Sequence, residues 1–254
     1  MKDAVAIITG AASGIGRETA FLLSKQGFRI AIIDKSENEG RAVARDINRL
    51  RGSKKVCIFQ KADVSLPDSI SSAVKGVEDS FGRIDLLVNN AGIQFIGSVT
   101  ETPSERWNQV ISTNLTGVFL TSKYVLPMMI RNRLGVIVNV ASVCGFIAYN
   151  DFAAYCASKG GVVMLTKSMA LDYAKYNIRV NCVCPGEIQT PMTDEYYAKV
   201  RQPAKIRREI IGTIPIGRYG DSSDVAKAVL FLATEQSSYA TGSCLFVDGG
   251  MTVR

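Results

Sequence analysis

Histidine is absent from the chain of 254 residues. Its absence excludes His-based catalytic triads, His-based acid/base dehydrogenase chemistry and any zinc site completed by imidazole. A proton shuttle must then use Tyr, Lys, Asp, Glu or Cys. The six cysteines, Cys57, Cys144, Cys156, Cys182, Cys184 and Cys244, contain no C-x-x-C pair. A thioredoxin-like motif and a zinc-ligand spacing are both missing, and no metal is expected. The thiols suit small buried hydrophobes in a reducing cytosol. Cys182 and Cys184 stand two apart in a strand-like run and share a face. No apolar run reaches the length of a spanning helix, about 18 residues. Met1-Lys2-Asp3 ahead of a short apolar stretch does not suit a signal peptide. The expectation is a soluble, cytoplasmic protein without a membrane partner. Long Lys/Arg blocks are lacking too: the formal net charge is +7, but the basic residues are scattered. That argues against a nucleic-acid partner and suits solubility or attraction to an anionic cofactor.

What the chain does contain is globular, with 47% hydrophobic and 21% charged residues, enough for one large core. Apolar runs at 4–9, 29–33, 56–60, 86–89, 136–140, 179–183 and 244–247 predict strands. Several are nearly continuous Val, Ile and Leu, as for parallel strands covered on both faces. Between them, helical patterns cover 14–25, 38–50, 67–81, 103–131, 152–176 and 221–233. This alternation predicts a single α/β domain over 1–254, built on a doubly wound parallel sheet. One stretch interrupts it. Residues 191–214, with Met192, Tyr196, Tyr197, Val200, Ile206, Ile210 and Ile211, form a helical insertion on the carboxyl side of a strand. Ligands bind there in such sheets, so the insertion is expected to be a substrate lid rather than a packing arm.

After the first strand, Gly10-Ala11-Ala12-Ser13-Gly14-Ile15-Gly16 opens a helix. Glycines permit a tight turn and a close backbone approach to a pyrophosphate, which the helix N-terminus then faces with free N–H groups. Glycine turns also join strands to helices for packing alone, but this one occupies the first strand–helix junction, which favours a dinucleotide. Asp34 ends the second strand, 18 residues after Gly16. A carboxylate there accepts ribose hydroxyls and repels a 2′-phosphate, favouring NAD over NADP. The alternative is a turn or cap residue, and Lys35 and Arg17 nearby weaken the preference.

Tyr155 and Lys159 are four apart on a helix and share a face. Free tyrosine titrates near ~10, too high for a base at neutral pH. A neighbouring ammonium and a positively charged nicotinamide favour tyrosinate, allowing Tyr155 to exchange a proton with an alcohol or carbonyl. Ser142 ends the preceding strand, where its hydroxyl could bond the substrate oxygen. Y-x-x-x-K is also a common surface pair; Ser142 and the lack of histidine weigh against that reading. Cys144 and Cys156 flank the site, and without a histidine base they are expected to line the pocket.

The pieces Gly10–Gly16, Asn89-Asn90-Ala91-Gly92, Asn114, Ser142, Tyr155-x-x-x-Lys159 and Pro185-Gly186 resemble the short-chain dehydrogenase/reductases in order and spacing, from residue 4 to Gly250. The resemblance implies a Rossmann-like sheet of seven parallel strands in the order 3-2-1-4-5-6-7. It implies that Asp63 and Val64 meet the adenine and that Asn90, Ala91 and Gly92 line the ribose side. Ile188 and Thr190, following Pro185 and Gly186, would hold the carboxamide and phosphate side. Lys159 would also bind the nicotinamide ribose, and the carbonyl of Asn114 would position a water; the alternative for Asn114 is a helical polar residue meeting its own backbone. The ending Val247-Asp248-Gly249-Gly250-Met251 resembles the family's carboxyl terminus, which implies a homotetramer or homodimer.

The expected function is hydride transfer between NAD(H) and a small secondary alcohol or ketone, polyol or sugar. A 3-oxoacyl-(acyl-carrier-protein) reductase using NADPH is the alternative, with Arg131, Arg133 and Lys175 as docking cations. A catalytically silent cofactor sensor would need a lost catalytic residue, and all four are present. The run 89–94 is also similar to bacterial 3-hydroxybutyrate dehydrogenases, in which the glutamine matching Gln94 helps hold a carboxylate. Those enzymes add a histidine and a lysine where this chain has Cys144 and Phe152. Neutral substrates are therefore expected, with Gln94 bonding a hydroxyl and Tyr149 and Phe152 walling the apolar side. The lid cations Lys199, Arg201, Lys205, Arg207 and Arg208 are expected on a solvated face.

Overall fold

Alternation along each apolar run sends successive side chains to opposite faces of one sheet. In the computed structural model, which describes residues 3–53 and 55–253, the first six strands are β1 (Val5–Thr9), β2 (Arg29–Asp34), β3 (Cys57–Lys61), β4 (Leu86–Asn89), β5 (Gly135–Val140) and β6 (Ile178–Pro185). Ala6, Ile8, Ile30 and Ile32 face one core, and Val5, Ile7, Ala31 and Ile33 the other. The first core is closed by α1 (Gly14–Lys25), α2 (Glu37–Leu50) and α9 (Ser222–Ala233). The second is closed by α3 (Pro67–Phe81), α5 (Gly117–Asn132) and α6 (Ala153–Tyr173). Burial on both faces explains why these strands are so uniformly apolar.

The sheet has seven strands in the order β3-β2-β1-β4-β5-β6-β9, with β9 spanning Cys244–Val247. This is the expected order. The last strand is ninth in the chain because two short strands, β7 (Ile188–Gln189) and β8 (Gly220–Asp221), pair apart from the main sheet. The chain reverses direction across the sheet between β1 and β4. In such sheets ligands bind beyond the carboxyl ends of the strands at this point, where Gly10 follows β1 and Asn90 follows β4.

Several boundaries differ from expectation. The helix foreseen over 103–131 is broken: α4 (Ser104–Ile111) passes into a π-helical turn, Ser112–Thr116, before α5. The apolar period carries through because one wide turn shifts the face only slightly. The helix foreseen over 152–176 tightens into a 3₁₀ turn at Ala174–Tyr176. Asp221 is not in α9 but caps it, in a reciprocal box with Asp224. The insertion forms two helices, α7 (Pro191–Lys199) and α8 (Pro203–Gly212), each started by proline in its first turn. No helix among the described residues is long and apolar enough to cross a membrane.

Candidate active site

The glycine turn and the helix behind it form a socket for an anion. Ser13 precedes α1 in extended conformation, and its side chain makes no cap bond. The first helical bond runs from Arg17 N–H to the Ser13 carbonyl, leaving the N–H groups of the first turn without helical partners. Ser13, Gly14 and Ile15 line the large cavity. Gly10 has φ +65°, and a Cβ there would lie 2.8 Å from Ala91 Cα. A Cβ on Gly16 would lie 2.4 Å from the Gly10 carbonyl oxygen. Asn90 pins the turn, its Nδ2 donating to the carbonyls of Thr9 (3.0 Å) and Gly10 (2.9 Å). These residues fit a dinucleotide: an uncapped helix end, and a turn whose backbone no side chain obstructs.

Asp34 closes this socket on the β2 side. Its Oδ2 accepts from Ala12 N–H and its Oδ1 from Ser36 N–H, each at 2.9 Å. The carboxylate thus anchors the glycine turn and the start of α2, which is the turn role weighed from sequence. Asp63 accepts from Ser65 N–H at 2.9 Å and from its hydroxyl at 2.6 Å. Val64 is buried, and a Cβ on Gly117 would meet its Cγ2 at 2.7 Å.

The proton-transfer candidates converge at the carboxyl end of β5 and on α6. Lys159 is buried, and its Nζ donates to the Val140 carbonyl at 2.7 Å. Desolvation pushes it down to about 8. Its Nζ is 5.6 Å from the centre of the Tyr155 ring. Tyr155 departs from expectation: burial holds its phenol above the ordinary tyrosine value, while Ser142 draws it back down. In this interior desolvation is the largest influence on the phenol. Ser142 is buried, and its Oγ accepts from Cys144 N–H at 3.1 Å. Cys144 beside it is held up to about 12, chiefly by burial, as an inert thiol.

Asn114 lies in the π-helical turn and is 1% exposed. Its side chain does not meet its own helix. It clamps Ile93, accepting from its N–H and donating to its carbonyl, both at 2.8 Å, and donates to Ser158 Oγ at 3.1 Å. The segment that follows Asn90 is thereby tied to α6.

Of the residues singled out from sequence, the cavity brings together Ser13, Gly14, Ile15, Asn90, Gly92, Gln94, Ser142, Cys144, Tyr149, Phe152, Tyr155, Lys159, Pro185, Gly186, Ile188 and Thr190. Gly10, Gly16, Asp34, Asp63, Val64, Ala91 and Asn114 are not among its lining residues. Gln94 Nε2 donates to the Met192 carbonyl at 3.1 Å, tying this segment to α7, and its second N–H and its Oε1 make no protein hydrogen bond among the described residues. The lid supplies Met192, Tyr196, Ile206 and Ile210 to the cavity wall. Its basic residues Lys199, Arg201, Lys205, Arg207 and Arg208 are exposed and absent from that wall. Phe152 links Tyr149, Tyr155 and Tyr196, with ring centres 6.3 Å apart in each case. The cavity has a volume of about 570 Å³.

Two features escaped the sequence. Glu187 lines the cavity; its place between Gly186 and Ile188, both singled out from sequence, was the available signal. Cys244 pairs in register with Cys182 across adjacent strands, bringing Cys182, Cys184 and Cys244 sulfurs within 4.8 Å of one another. Spacing could not show this, because β9 is remote in sequence. Hydrogen bonding and burial hold the Cys182 thiol far above its ordinary value, and burial lifts Cys244 to about 11.

The fold and socket define a dinucleotide-binding α/β protein with a tyrosine–lysine–serine centre. The family profile described as Enoyl-(Acyl carrier protein) reductase matches residues 10–252. The chain belongs to this family, within the short-chain dehydrogenase/reductases, which are oxidoreductases. It is 40% identical to the 3-oxoacyl-(acyl-carrier-protein) reductase of Thermotoga maritima, covering 100% of this chain and 99% of that one. It is 40% identical to the trans-4-hydroxycyclohexanecarboxylate dehydrogenase of Sinomonas cyclohexanicum, covering 99% of this chain and 94% of the relative. Among solved structures, levodione reductase superposes with a TM-score of 0.95 at 34% identity, covering 100% of this chain and 99% of that one.

Proposed function

We propose that this chain is an NAD(H)-linked dehydrogenase of a small secondary alcohol, polyol or sugar, acting in the cytoplasm, with Tyr155 as the proton-transfer residue. The observation that carries the reading is one cavity lined at once by the open N-terminus of α1 and by Ser142, Tyr155 and Lys159. The nicotinamide dinucleotide, when bound, accepts or supplies the hydride. Ser142 Oγ bonds the substrate oxygen. In reduction the Tyr155 phenol gives its proton from Oη to the carbonyl oxygen, and in oxidation its tyrosinate form takes the carbinol proton. Lys159, aimed by the Val140 carbonyl, holds a positive charge beside Tyr155 and contacts the nicotinamide ribose. Asn114 fixes the segment after Asn90 through Ile93, and its carbonyl sits in a turn whose hydrogen-bond register is shifted. Asp34 accepts the adenosine ribose hydroxyls, and Asp63 and Val64 border the adenine. No metal takes part. The relatives named for a hydroxy compound and for levodione support exchange between CH–OH and carbonyl. Exposed Met164 and Leu171 on α6, 62% and 84% accessible, support a homo-oligomer.

A second reading, reduction of 3-oxoacyl carrier substrates with NADPH, is favoured by the Thermotoga maritima relative. Against it, Arg131 pairs with Glu78 at 3.0 Å and Arg133 donates to the Lys175 carbonyl at 3.0 Å. Arg133 and Lys175 lie shortly before β5 and β6, at the amino ends of the strands, while the cavity lies at their carboxyl ends. Measuring kcat/KM with both cofactors over alcohols, polyols, sugars and acyl thioesters separates the two. NADH with a small alcohol or ketone is expected. A clear preference for NADPH with acyl thioesters would overturn the first reading in favour of the second.

A further inference from the structure

Two polar side chains on the cavity wall take no part in the proton chemistry above. Glu187 is half-buried and lines the cavity. Burial raises its carboxyl above the usual range, and no neighbouring group offsets that. Tyr149 lines the same cavity, and its hydroxyl is buried without a hydrogen-bond partner. Burial and the Glu187 charge hold this phenol protonated. Glu187 follows Gly186 at the carboxyl end of β6 and lines the same cavity as Tyr155 and Tyr196. Tyr149 thus offers an unmet donor and Glu187 an acceptor in the cavity that Ser142 and Tyr155 also line.

The other charged groups on this wall do not change the balance. Lys159 is bonded to the Val140 carbonyl, and Glu209 on α8 is a second carboxylate, 3.9 Å from exposed Lys205. The wall is apolar between them, with Phe152, Met192 and Ile210.

A hydroxyl donates and accepts at once, so it satisfies both groups. A carboxylate only accepts, and would face Glu187 without a countercharge. A methyl would leave both groups unpaired, which is costly in a closed pocket. An ammonium would bond Glu187 but could not accept from Tyr149.

We propose that Glu187 and Tyr149 together recognise a second hydroxyl of the substrate, adjacent to the carbinol at Tyr155, so that neutral diols, polyols or sugars are selected over mono-alcohols and hydroxy acids. The proposal rests on the dehydrogenase reading above and names its substrate class.

The test uses the full chain with NAD⁺ and five probes: butane-2,3-diol, butan-2-ol, cyclohexane-1,2-diol, cyclohexanol and 3-hydroxybutyrate. The wild type should favour each diol over its mono-alcohol by about tenfold or more in kcat/KM, as expected for one charged or buried hydrogen bond. Glu187→Gln and Tyr149→Phe should each lower that ratio by about tenfold. Glu187→Gln should also raise kcat/KM for 3-hydroxybutyrate severalfold, a gain that damaged protein cannot imitate. NADH fluorescence checks that each variant keeps its cofactor site; if Glu187→Gln loses it, Tyr149→Phe decides. A wild-type ratio near one, a ratio untouched by the intact variants, or 3-hydroxybutyrate as the best probe overturns this proposal and leaves the dehydrogenase reading standing. Absence of turnover with every alcohol and both cofactors overturns both.

Discussion

Replacing Gly16 with alanine tests the socket directly. The added methyl would stand 2.4 Å from the Gly10 carbonyl oxygen, 2.5 Å from Asn90 Nδ2 and 3.0 Å from Ala11 Cα. Ordinary Cβ contacts begin at 3.4 Å, so relief needs a shift of about 1 Å, from 3.4 minus 2.4. The turn has little room, because Gly10 already packs on Ala91 and Asn90 Nδ2 bonds two carbonyls of the same turn. Overpacking of this kind destabilises by ~1–3 kcal/mol, and a strained hydrogen bond adds ~1 kcal/mol. Alanine returns roughly 0.8–1 kcal/mol in helix propensity. The net loss is ~1–3 kcal/mol, or about 2–12 °C in Tm for a domain of this size. Displacing the turn also moves the N–H groups that face the pyrophosphate, so NADH should bind at least about tenfold more weakly, a loss of ~1.4 kcal/mol. Gly212→Ala is the control, since nothing lies within 4 Å of its missing side chain. Thermal unfolding and NADH titration measure both effects. A Gly16→Ala protein with wild-type Tm and NADH affinity would refute the close approach on which the socket depends.

Asp34→Ser removes the carboxylate that would face a 2′-phosphate; the ratio of kcat/KM for NADP⁺ over NAD⁺ should rise at least about tenfold, and an unchanged ratio would remove Asp34 from cofactor choice. Lys159 has a pH signature. Burial lowers its folded value to about 8 from the ordinary 10.5, so below pH 8 both folded and unfolded chains carry the charge and the burial penalty is fully present. As pH rises from 8 toward 10.5 the unfolded chain binds more protons and the penalty is relieved. The stability of Lys159→Met relative to wild type should therefore fall between pH 7 and about 9.5 in urea unfolding; a pH-independent difference would contradict a buried, titrating ammonium.

Much of the fold is legible in the chain because burial on both sheet faces writes itself as continuous Val, Ile and Leu, and burial on one helix face as a 3.6-residue period. The order of the sheet, the glycine turn and the lid follow from those patterns and from the family resemblance. What stayed hidden depends on contacts that local pattern does not encode. The π-helical turn at Ser112–Thr116 leaves the apolar period nearly intact, so 103–131 looked like one helix. The bond from Gln94 to the Met192 carbonyl joins segments distant in sequence. Glu187 carried no pattern of its own, and the three clustered thiols become neighbours only when β9 pairs with β6. Tyr155 and Lys159 were legible as a pair, but the direction of the tyrosine shift was not, because desolvation is a property of the folded interior.

The most direct measurement compares Tyr155→Phe with wild type in two assays, steady-state turnover and NADH fluorescence titration. Loss of a hydroxyl that carries the proton should lower kcat by ~10²–10⁴-fold while leaving the NADH Kd within about threefold, since Asp34, the α1 N-terminus and Lys159 remain. Activity retained within about tenfold of wild type, with NADH binding intact, would contradict Tyr155 as the proton-transfer residue.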